Sequence, residues 1–259
     1  MKVVILAGGY GTRISEESQF KPKPMIDIAG DPILWHIMKS YSYYGHNEFI
    51  ICAGYKQQVI KEFFAHYGLY CADVTFDLSK PNAKQFENSV AEPWVVTVAN
   101  TGLNTMTGGR VKRVKDYIGD EPFLLTYGDG VCDVDINQVI SHHKRNGKIA
   151  TLTAVQPGGR FGNLEFDEDS NITSFAEKRK EDGGWINGGF MVLSPEIIDR
   201  IEGDNSVLER DVLESLAKEG QLTAYKYTGF WQCMDTLRDK QYLESLILKN
   251  NAPWVKWED

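Results

Sequence analysis

The chain of 259 residues contains 42% hydrophobic and 25% charged residues and carries a formal net charge of −8. These proportions are those of an ordinary globular protein, so they exclude a disordered chain and a fibre. The negative charge argues against a nucleic-acid coat protein, because binding a polyanion over a large area needs a positive surface. We expect no nucleic-acid partner, and instead a small phosphorylated ligand held by a local basic cluster.

Short apolar runs alternate with helical patterns along the chain. The apolar runs predict strands at 3–6, 48–52, 74–78, 123–127, 150–155 and 189–193. Helical periods, each closed by a glycine, predict helices at 31–45, 55–68, 135–147 and 206–220. This alternation predicts an α/β fold, with a Rossmann-like, mostly parallel sheet flanked by helices.

Two segments depart from this alternation. Residues 71–98 have no sustained period, so we predict a small inserted β segment with one or two short strands. Residues 236–259 predict a C-terminal helix followed by an aromatic tail. The chain as a whole, 1–259, is predicted to form a single domain.

We expect no membrane contacts, no structural metal site and no disulfide bridges. The start "MKVVILAGG" has too few apolar residues for the core of a signal peptide, and no later apolar run is long enough to span a membrane. We therefore expect a cytoplasmic protein. Cysteines at 52, 71, 132 and 233 lie far apart without a C-x-x-C pair, which fits neither a zinc site nor a disulfide framework.

The first predicted strand runs into a glycine loop. In "VVILAGGYGTRIS", residues 3–15, Gly8, Gly9 and Gly11 are followed by Arg13. The glycine spacing fits neither a P-loop nor a dinucleotide fingerprint. Bare amides can surround a phosphate chain and a base, and a guanidinium can bind phosphate oxygens in a bidentate manner. The alternative, a plain strand-to-helix turn, accounts for one glycine but seldom for three with an arginine.

A basic motif follows shortly after this loop. "KPKPM", residues 21–25, contains Lys21 and Lys23, each held extended by the proline after it. Alone, the motif would be an ordinary basic turn. Placed so close behind Arg13, it predicts a second contact for phosphates.

A candidate metal ligand follows the strand predicted at 123–127. "YGDGVCDVD" places Asp129 between two glycines, which let a metal and a phosphate approach. The alternative for Asp129 is an aspartate in a glycine turn, while Asp133 is expected in a solvated turn and Asp135 at a helix N-cap. Magnesium usually takes one or two carboxylates together with substrate phosphates, so Asp129 needs a partner.

"LAGGYGTR" together with "KPKPM" resembles the signature of the sugar-1-phosphate nucleotidylyltransferases, and the similarity covers nearly the whole chain. Further segments that resemble this family are "LLTYGDG" (124–130), "RFGNLEFD" (160–167), "FAEK" (175–178) and "INGGFMVL" (186–193). "TGLNTMTGGRVKRV" (101–114) and "GFWQCMDTLRDKQYLE" (229–244) resemble the cytidylyl-transferring subgroup rather than the thymidylyl enzymes.

The resemblance implies the nucleotide-diphospho-sugar transferase fold and transfer of a cytidylyl group from CTP to α-D-glucose 1-phosphate. The products would be CDP-glucose and pyrophosphate, with Mg²⁺ as cofactor and a role in deoxysugar and surface polysaccharide (O-antigen) synthesis. The subgroup also implies a homo-oligomer, a hexamer. Two departures stand out: Arg179 replaces the family's proline after Glu177 and Lys178, and residues 105–110 take the place of the proline-rich base loop.

Site residues follow from the same resemblance. Arg13 and Lys23 would be catalytic, and Asp129 and Asp235 would hold Mg²⁺, although a helix N-cap is the alternative for Asp235. The residues expected to bind the substrates are Leu6, Ala7, Gly8, Gly9, Tyr10, Gly11, Thr12, Arg13, Lys23 and Gly128 for the nucleotide, Thr105, Gly108 and Arg110 for the base, and Gly162, Glu177, Lys178 and Asn187 for the sugar phosphate.

The chemistry explains why such residues are needed. An oxygen of the sugar phosphate must attack the α-phosphorus of a nucleoside triphosphate in line with the departing pyrophosphate. A phosphate oxygen is already a nucleophile at neutral pH, so catalysis consists of neutralising anions and holding this geometry. The alternatives are the same reaction with UTP or dTTP, a non-catalytic nucleotide-sugar sensor and, least favoured by the glycine spacing, a dinucleotide oxidoreductase.

Overall fold

The computed structural model describes residues 1–80, 83–156, 163–166, 172–176 and 184–257. Within these residues the strands are β1 (Val3–Ala7), β2 (Asp27–Ile28), β3 (Asp31–Pro32), β4 (Glu48–Ala53), β5 (Asp73–Asp77), β6 (Ala83–Glu87), β7 (Val95–Asn100), β8 (Phe123–Tyr127), β9 (Gly130–Cys132), β10 (Ala150–Val155), β11 (Asn163–Phe166), β12 (Ile172–Ala176), β13 (Ile186–Asn187), β14 (Met191–Leu193), β15 (Leu222–Tyr227) and β16 (Trp231–Cys233).

The α-helices of the same residues are α1 (Ser15–Ser18), α2 (Ile33–Tyr43), α3 (Gln57–Tyr70), α4 (Thr107–Arg113), α5 (Lys115–Ile118), α6 (Ile136–Asn146), α7 (Glu214–Lys218) and α8 (Leu237–Leu248). Single 3₁₀ turns cover Thr12–Ile14 and Lys23–Met25, and a longer 3₁₀ segment covers Pro195–Arg200. A π-helical segment, Leu208–Leu213, leads directly into α7.

The central sheet has the strand order β13-β10-β14-β8-β1-β4-β7, and β15 also pairs with β10. β8, β1, β4 and β7 run parallel to one another, while β14 runs antiparallel to both β8 and β10. The sheet is therefore mixed but mostly parallel, which confirms the predicted fold class. The predicted bounds of β8 and β10 coincide with the observed ones.

β1 is buried on both faces, as expected for a central parallel strand. Val3 and Ile5 lie in a core formed with α2, α6 and α8, whereas Val4 lies in a second core formed with α4, α5 and α7. Alternate residues of a strand point to opposite faces, so the continuous apolar run supplies both cores. The two helical layers fix β1, and with it the start of the glycine loop.

Residues 71–98 contain the expected short strands, the antiparallel pair β5 and β6. Their last four residues, however, belong to β7, which pairs in parallel with β4 as an edge strand of the central sheet. β7 was not predicted, although its valines form a β-branched run typical of a strand, because all of residues 71–98 were assigned to the inserted segment. The inserted β segment therefore ends before Val95.

Helix α4 was likewise not predicted, because "TGGR" combines two residues of low helix propensity. Both glycines are needed for close packing. A Cβ on Gly108 would lie 2.8 Å from the carbonyl oxygen of Ser206, and one on Gly109 would lie 2.6 Å from that of Asp204. Tertiary contact therefore overrides the local preference of these residues.

The C-terminal residues belong to the first core. α8 lies within the predicted 236–259 segment, and Trp254 in the tail is only 1% exposed and stacks on Phe230 with ring centroids 5.3 Å apart. No helix of the described residues is both long and apolar enough to cross a membrane. All four cysteines are free thiols.

Candidate active site

A cleft of about 650 Å³ opens where β1 and β8 end at the carboxyl edge of the sheet. This is the edge at which open parallel sheets bind ligands. Its lining comes from the glycine loop, the 3₁₀ turn at Lys23, the strand ends and the start of α4. The lining residues are Leu6, Ala7, Gly8, Gly9, Tyr10, Gly11, Thr12, Lys23, Pro24, Leu103, Asn104, Thr105, Met106, Thr107, Arg110, Tyr127, Gly128, Asp129, Val207 and Asp235.

The glycine loop requires glycine at two positions for different reasons. Gly11 has a φ of +66°, a conformation that other residues adopt at a cost. Gly8 lies against the guanidinium of Arg110, where a Cβ would come within 2.1 Å of Nη1. Its carbonyl also accepts a hydrogen bond from the amide of Tyr55. These contacts leave a side-chain-free wall on the cleft.

Arg110 is a buried residue that joins the glycine loop to the segment 101–103 around this wall. Its Nη1 donates to Thr101 Oγ1 at 2.7 Å and to the Gly102 carbonyl at 2.7 Å, and Nη2 donates to the Gly8 carbonyl at 3.1 Å and to the Leu103 carbonyl at 3.3 Å. Burial lowers its pKa from the ordinary value. The guanidinium lines the cleft, but these four hydrogen bonds go to the protein. Its role in base recognition stays a prediction.

Lys23 lies between the two aspartates that the resemblance assigns to metal. Its Nζ donates to Asp129 Oδ2 at 2.7 Å and to Asp235 Oδ1 at 2.6 Å. Burial by itself lowers the pKa of Lys23, but the two carboxylates outweigh it and the pKa is raised. The cleft therefore holds a cation enclosed by two anions, which we call the charge triad (Lys23, Asp129 and Asp235).

Two short strands bring the aspartates together across a long stretch of chain. β9 pairs antiparallel with β16, with Gly130 opposite Cys233, and the amide of Met234 donates to the Asp129 carbonyl at 2.8 Å. Asp129 leaves β8 just before this pair, and Asp235 follows it. The strand pairing, rather than sequence proximity, places both carboxylates at one point.

Asp235 is not the N-cap of α8. Thr236 is the N-cap, and it forms a capping box with Asp239. Asp135, by contrast, is the N-cap of α6, as predicted. The prediction that Asp133 lies in a solvated turn is wrong. Its carboxylate accepts hydrogen bonds from the Phe230 amide, at 2.7 Å, and from the Tyr227 hydroxyl. Asp133 therefore connects its own loop to the segment that contains Tyr227 and Phe230.

The chemistry of the charge triad fits a magnesium ion. Asp129 and Asp235 contact one ammonium nitrogen, so a small cation at that point would meet an oxygen of each carboxylate. No cluster of three or more histidine, cysteine, aspartate or glutamate side chains that could hold a metal occurs in the described residues. Two carboxylates with the remaining ligands from substrate phosphates and water are the usual arrangement for magnesium.

The structure places the other predicted residues as follows. Gly108 does not line the cleft, and its amide donates to the Ser206 carbonyl at 2.9 Å. Asn187 lies next to the cleft, with Nδ2 donating to the Tyr127 hydroxyl at 3.2 Å. Arg13 lies in the 3₁₀ turn after the glycine loop. Gly162, Glu177 and Lys178 lie outside the described residues, and the side chain of Arg13 is likewise not described, so their roles stay predictions.

Several lining residues were not predicted from the sequence, namely Pro24, Leu103, Asn104, Met106, Thr107, Tyr127 and Val207. Tyr127 could have been found, since it ends a predicted strand two residues before Asp129. Asn104 accepts a hydrogen bond from the Tyr10 hydroxyl at 3.0 Å, which joins the glycine loop to the segment before α4. No local pattern predicts such a contact.

We expect Arg110→Ala to weaken nucleotide binding by about tenfold or more, because losing hydrogen bonds from a charged donor leaves buried carbonyls unpaired. The change releases Gly8 from the segment 101–103, so the glycine loop is no longer fixed. Titration calorimetry with CTP measures the effect. Asn104→Ala, which removes only the contact to Tyr10, is the milder comparison. Unchanged CTP affinity in Arg110→Ala would mean that the loop does not depend on this residue.

A mostly parallel α/β sheet that gathers a glycine loop, a lysine and two carboxylates around one cleft defines a nucleotide-binding protein suited to phosphate chemistry. A family model described as nucleotidyl transferase matches residues 2–259. The chain belongs to the nucleotidyl transferase family.

Relatives with full-length similarity lie within this family. The chain is 56% identical over 259 residues to a glucose-1-phosphate cytidylyltransferase of Salmonella typhi, covering 100% of both chains. It is 43% identical over 258 residues to a probable glucose-1-phosphate cytidylyltransferase of Bacillus subtilis, covering 99% of this chain and 100% of the relative.

Solved structures show the same fold. HddC from Yersinia pseudotuberculosis superimposes with a TM-score of 0.64 at 26% identity, covering 95% of this chain and 99% of that one. An apo UDP-glucose pyrophosphorylase superimposes with a TM-score of 0.69 at 17% identity, covering 96% and 98%, and at this identity the likeness concerns the fold alone.

Proposed function

We propose that this chain transfers a cytidylyl group from CTP to α-D-glucose 1-phosphate, giving CDP-glucose and pyrophosphate with Mg²⁺. The charge triad facing the glycine loop across one cleft is the observation that carries the proposal. The names of the full-length relatives in Salmonella typhi and Bacillus subtilis support the choice of CTP and glucose 1-phosphate.

The reaction forms one bond and breaks one. A non-bridging oxygen of glucose 1-phosphate bonds to the α-phosphorus of CTP, and the bond from that phosphorus to the pyrophosphate oxygen breaks. No proton has to be removed from the nucleophile, so the protein needs no general base. Its task is to hold two polyanions in line and to offset their repulsion.

Each part of the cleft has a role in that task. Amides of residues 8–12 and the guanidinium of Arg13 would hold the departing pyrophosphate. Lys23 would contact the phosphates at the reacting centre. Asp129 and Asp235 would hold Mg²⁺, which when bound neutralises phosphate charge. In the ligand-free protein Lys23 is hydrogen-bonded to both carboxylates. The substrates and the metal would therefore displace these contacts of Lys23 and would not enter a site of two unpaired anions.

Further features of the proposal rest on the resemblance. The whole chain would act as a single nucleotidyltransferase domain in the cytoplasm, as a homo-oligomer, and its product would supply deoxysugar and surface polysaccharide synthesis. Glu177 and Lys178 would contact the sugar and its phosphate, together with Asn187 and the backbone at Gly162.

Pyrophosphate release from glucose 1-phosphate, measured in parallel with CTP, UTP, dTTP, ATP and GTP, tests the proposal. We expect the highest kcat/KM with CTP, and loss of release when magnesium is chelated. Mannose 1-phosphate in place of glucose 1-phosphate tests the sugar. Equal or higher rates with UTP or dTTP would overturn the choice of base, and no release with any nucleotide would favour a nucleotide-sugar sensor.

A further inference from the structure

Glu209 connects the two walls of the cleft although its own side chain does not line it. Its Oε1 accepts a hydrogen bond from the Tyr127 hydroxyl at 2.5 Å, and its Oε2 accepts one from Thr107 Oγ1 at 2.7 Å. Tyr127 and Thr107 both line the cleft, one at the end of β8 and the other at the start of α4. A single carboxylate therefore fixes a hydroxyl on each wall.

The directions of these hydrogen bonds are determined by the chemistry of the groups. An ionised carboxylate only accepts, so both hydroxyls must donate to Glu209. The Tyr127 oxygen is then left as an acceptor, and Asn187 Nδ2 donates to it at 3.2 Å. The Asn187 amide is oriented from its other end, because its Oδ1 accepts from the Gly189 amide at 2.9 Å. The chain of donors runs from Asn187 through Tyr127 to Glu209.

The backbone around Glu209 is held firmly against the same wall. The amide of Leu208 donates to Thr107 Oγ1 at 2.9 Å, so this hydroxyl is oriented by both an acceptor and a donor. Glu209 lies in the π-helical segment Leu208–Leu213, a local geometry that is rare and is frequently found at functional sites. The close packing of Gly108 and Gly109 against residues 204–206 fixes the distance between this segment and α4.

We infer that Glu209 is a positioning residue. It holds the nucleotide side of the cleft in place through Thr107 and the sugar side through Tyr127. Thr107 lies within the 105–110 segment expected at the base, and Tyr127 holds Asn187, which is expected at the sugar. The inference rests on the proposed function, since it assigns the two walls to CTP and glucose 1-phosphate. Glu209 itself does not line the cleft.

Glu209→Gln tests this role, because glutamine offers one acceptor and one donor where two hydroxyls need two acceptors. We expect the Kd of both CTP and glucose 1-phosphate to rise about five- to tenfold, the scale of losing one ordinary hydrogen bond. Titration calorimetry measures both, and steady-state kinetics should place the change in KM more than in kcat.

Two variants separate the contribution of the hydrogen bond to Tyr127 from that of the hydrogen bond to Thr107. Tyr127→Phe removes one oxygen and should raise the Kd of glucose 1-phosphate while leaving that of CTP within about twofold, whereas Thr107→Ala should do the reverse. Combining Tyr127→Phe with Glu209→Gln should weaken glucose 1-phosphate binding no more than Glu209→Gln alone, because both break the same connection. If the effects of the two substitutions on glucose 1-phosphate binding were fully additive, Tyr127 and Glu209 would act independently.

Glu214→Gln is the matched control, since it removes an exposed carboxylate five residues further along the chain, at the start of α7. It should leave both Kd values unchanged. A lower melting temperature of Glu209→Gln with both Kd values unchanged would overturn the inference and leave Glu209 with a purely structural role. If wild-type protein binds both ligands yet releases no pyrophosphate with any nucleotide, the proposed function fails, while the binding comparison still decides the role of Glu209.

Discussion

Replacing Lys23 with methionine is expected to lower the turnover number by about a hundredfold or more, the scale of losing one preorganised charge partner of a transition state. In the proposed reaction the ammonium would be the fixed cation at the point where the two polyanions meet, and methionine keeps much of the volume of the side chain without the charge. Initial rates of pyrophosphate release at saturating substrates measure the loss.

The same variant should change how magnesium affects stability. In wild-type protein Lys23 offsets the charges of Asp129 and Asp235, with Nζ at 2.7 Å and 2.6 Å from their oxygens. Without it the carboxylates repel each other, so added magnesium should raise the melting temperature more in Lys23→Met than in wild type. This measurement does not depend on turnover.

Lys39→Met is the matched control for that result. Lys39 is also a largely buried lysine paired with a carboxylate, Glu92, but it lies away from the cleft beside Trp35 and Trp257. Its variant should lose some stability and keep its turnover, with no added response to magnesium. A Lys23→Met protein with normal turnover would remove Lys23 from the catalytic group.

Asp235→Asn is expected to lower activity by orders of magnitude at low magnesium, with partial recovery at high magnesium. Asparagine is nearly the same size as aspartate but lacks the charge, so metal affinity should fall while the fold remains. The helix gives no competing explanation, because Thr236 rather than Asp235 caps α8. Rates measured over a magnesium series, with melting curves in parallel, give both quantities.

Asp135→Asn controls for the removal of an aspartate at a helix start. Asp135 caps α6 through its side chain, and asparagine caps a helix about as well as aspartate, so activity and magnesium response should match the wild type. If Asp235→Asn kept full activity at low magnesium, Asp235 would have no role in metal binding, and Asp129 would be left as the single carboxylate ligand.

The parts of the fold that the sequence predicted are those whose burial leaves a regular pattern. β1, β4, β8 and β10 are buried strands, and their apolar runs predicted them nearly to the residue. β15 was missed because its residues are at most half-buried, so its sequence forms no continuous apolar run. The helix predicted at 55–68 continues to Tyr70, since Gly68 is tolerated within a helix that packs on the sheet.

The candidate site was predictable where one short segment carries it. The glycine loop and Lys23 lie in two motifs near the start of the chain, and the structure places both on the cleft. The positions of Asp129 and Asp235 depend on the pairing of β9 with β16, a long-range contact without a local signal. Glu209 was missed for the same reason, because its importance comes from the walls that it connects.

An isotope experiment tests the central claim most directly. Glucose 1-phosphate labelled with ¹⁸O in its non-bridging phosphate oxygens is incubated with the protein, CTP and magnesium, and the products are analysed by mass spectrometry. Attack of the sugar phosphate on the α-phosphorus of CTP predicts that all of the label is retained in CDP-glucose and that the pyrophosphate is unlabelled. Label released as phosphate or found in pyrophosphate, or the absence of CDP-glucose, would contradict cytidylyl transfer.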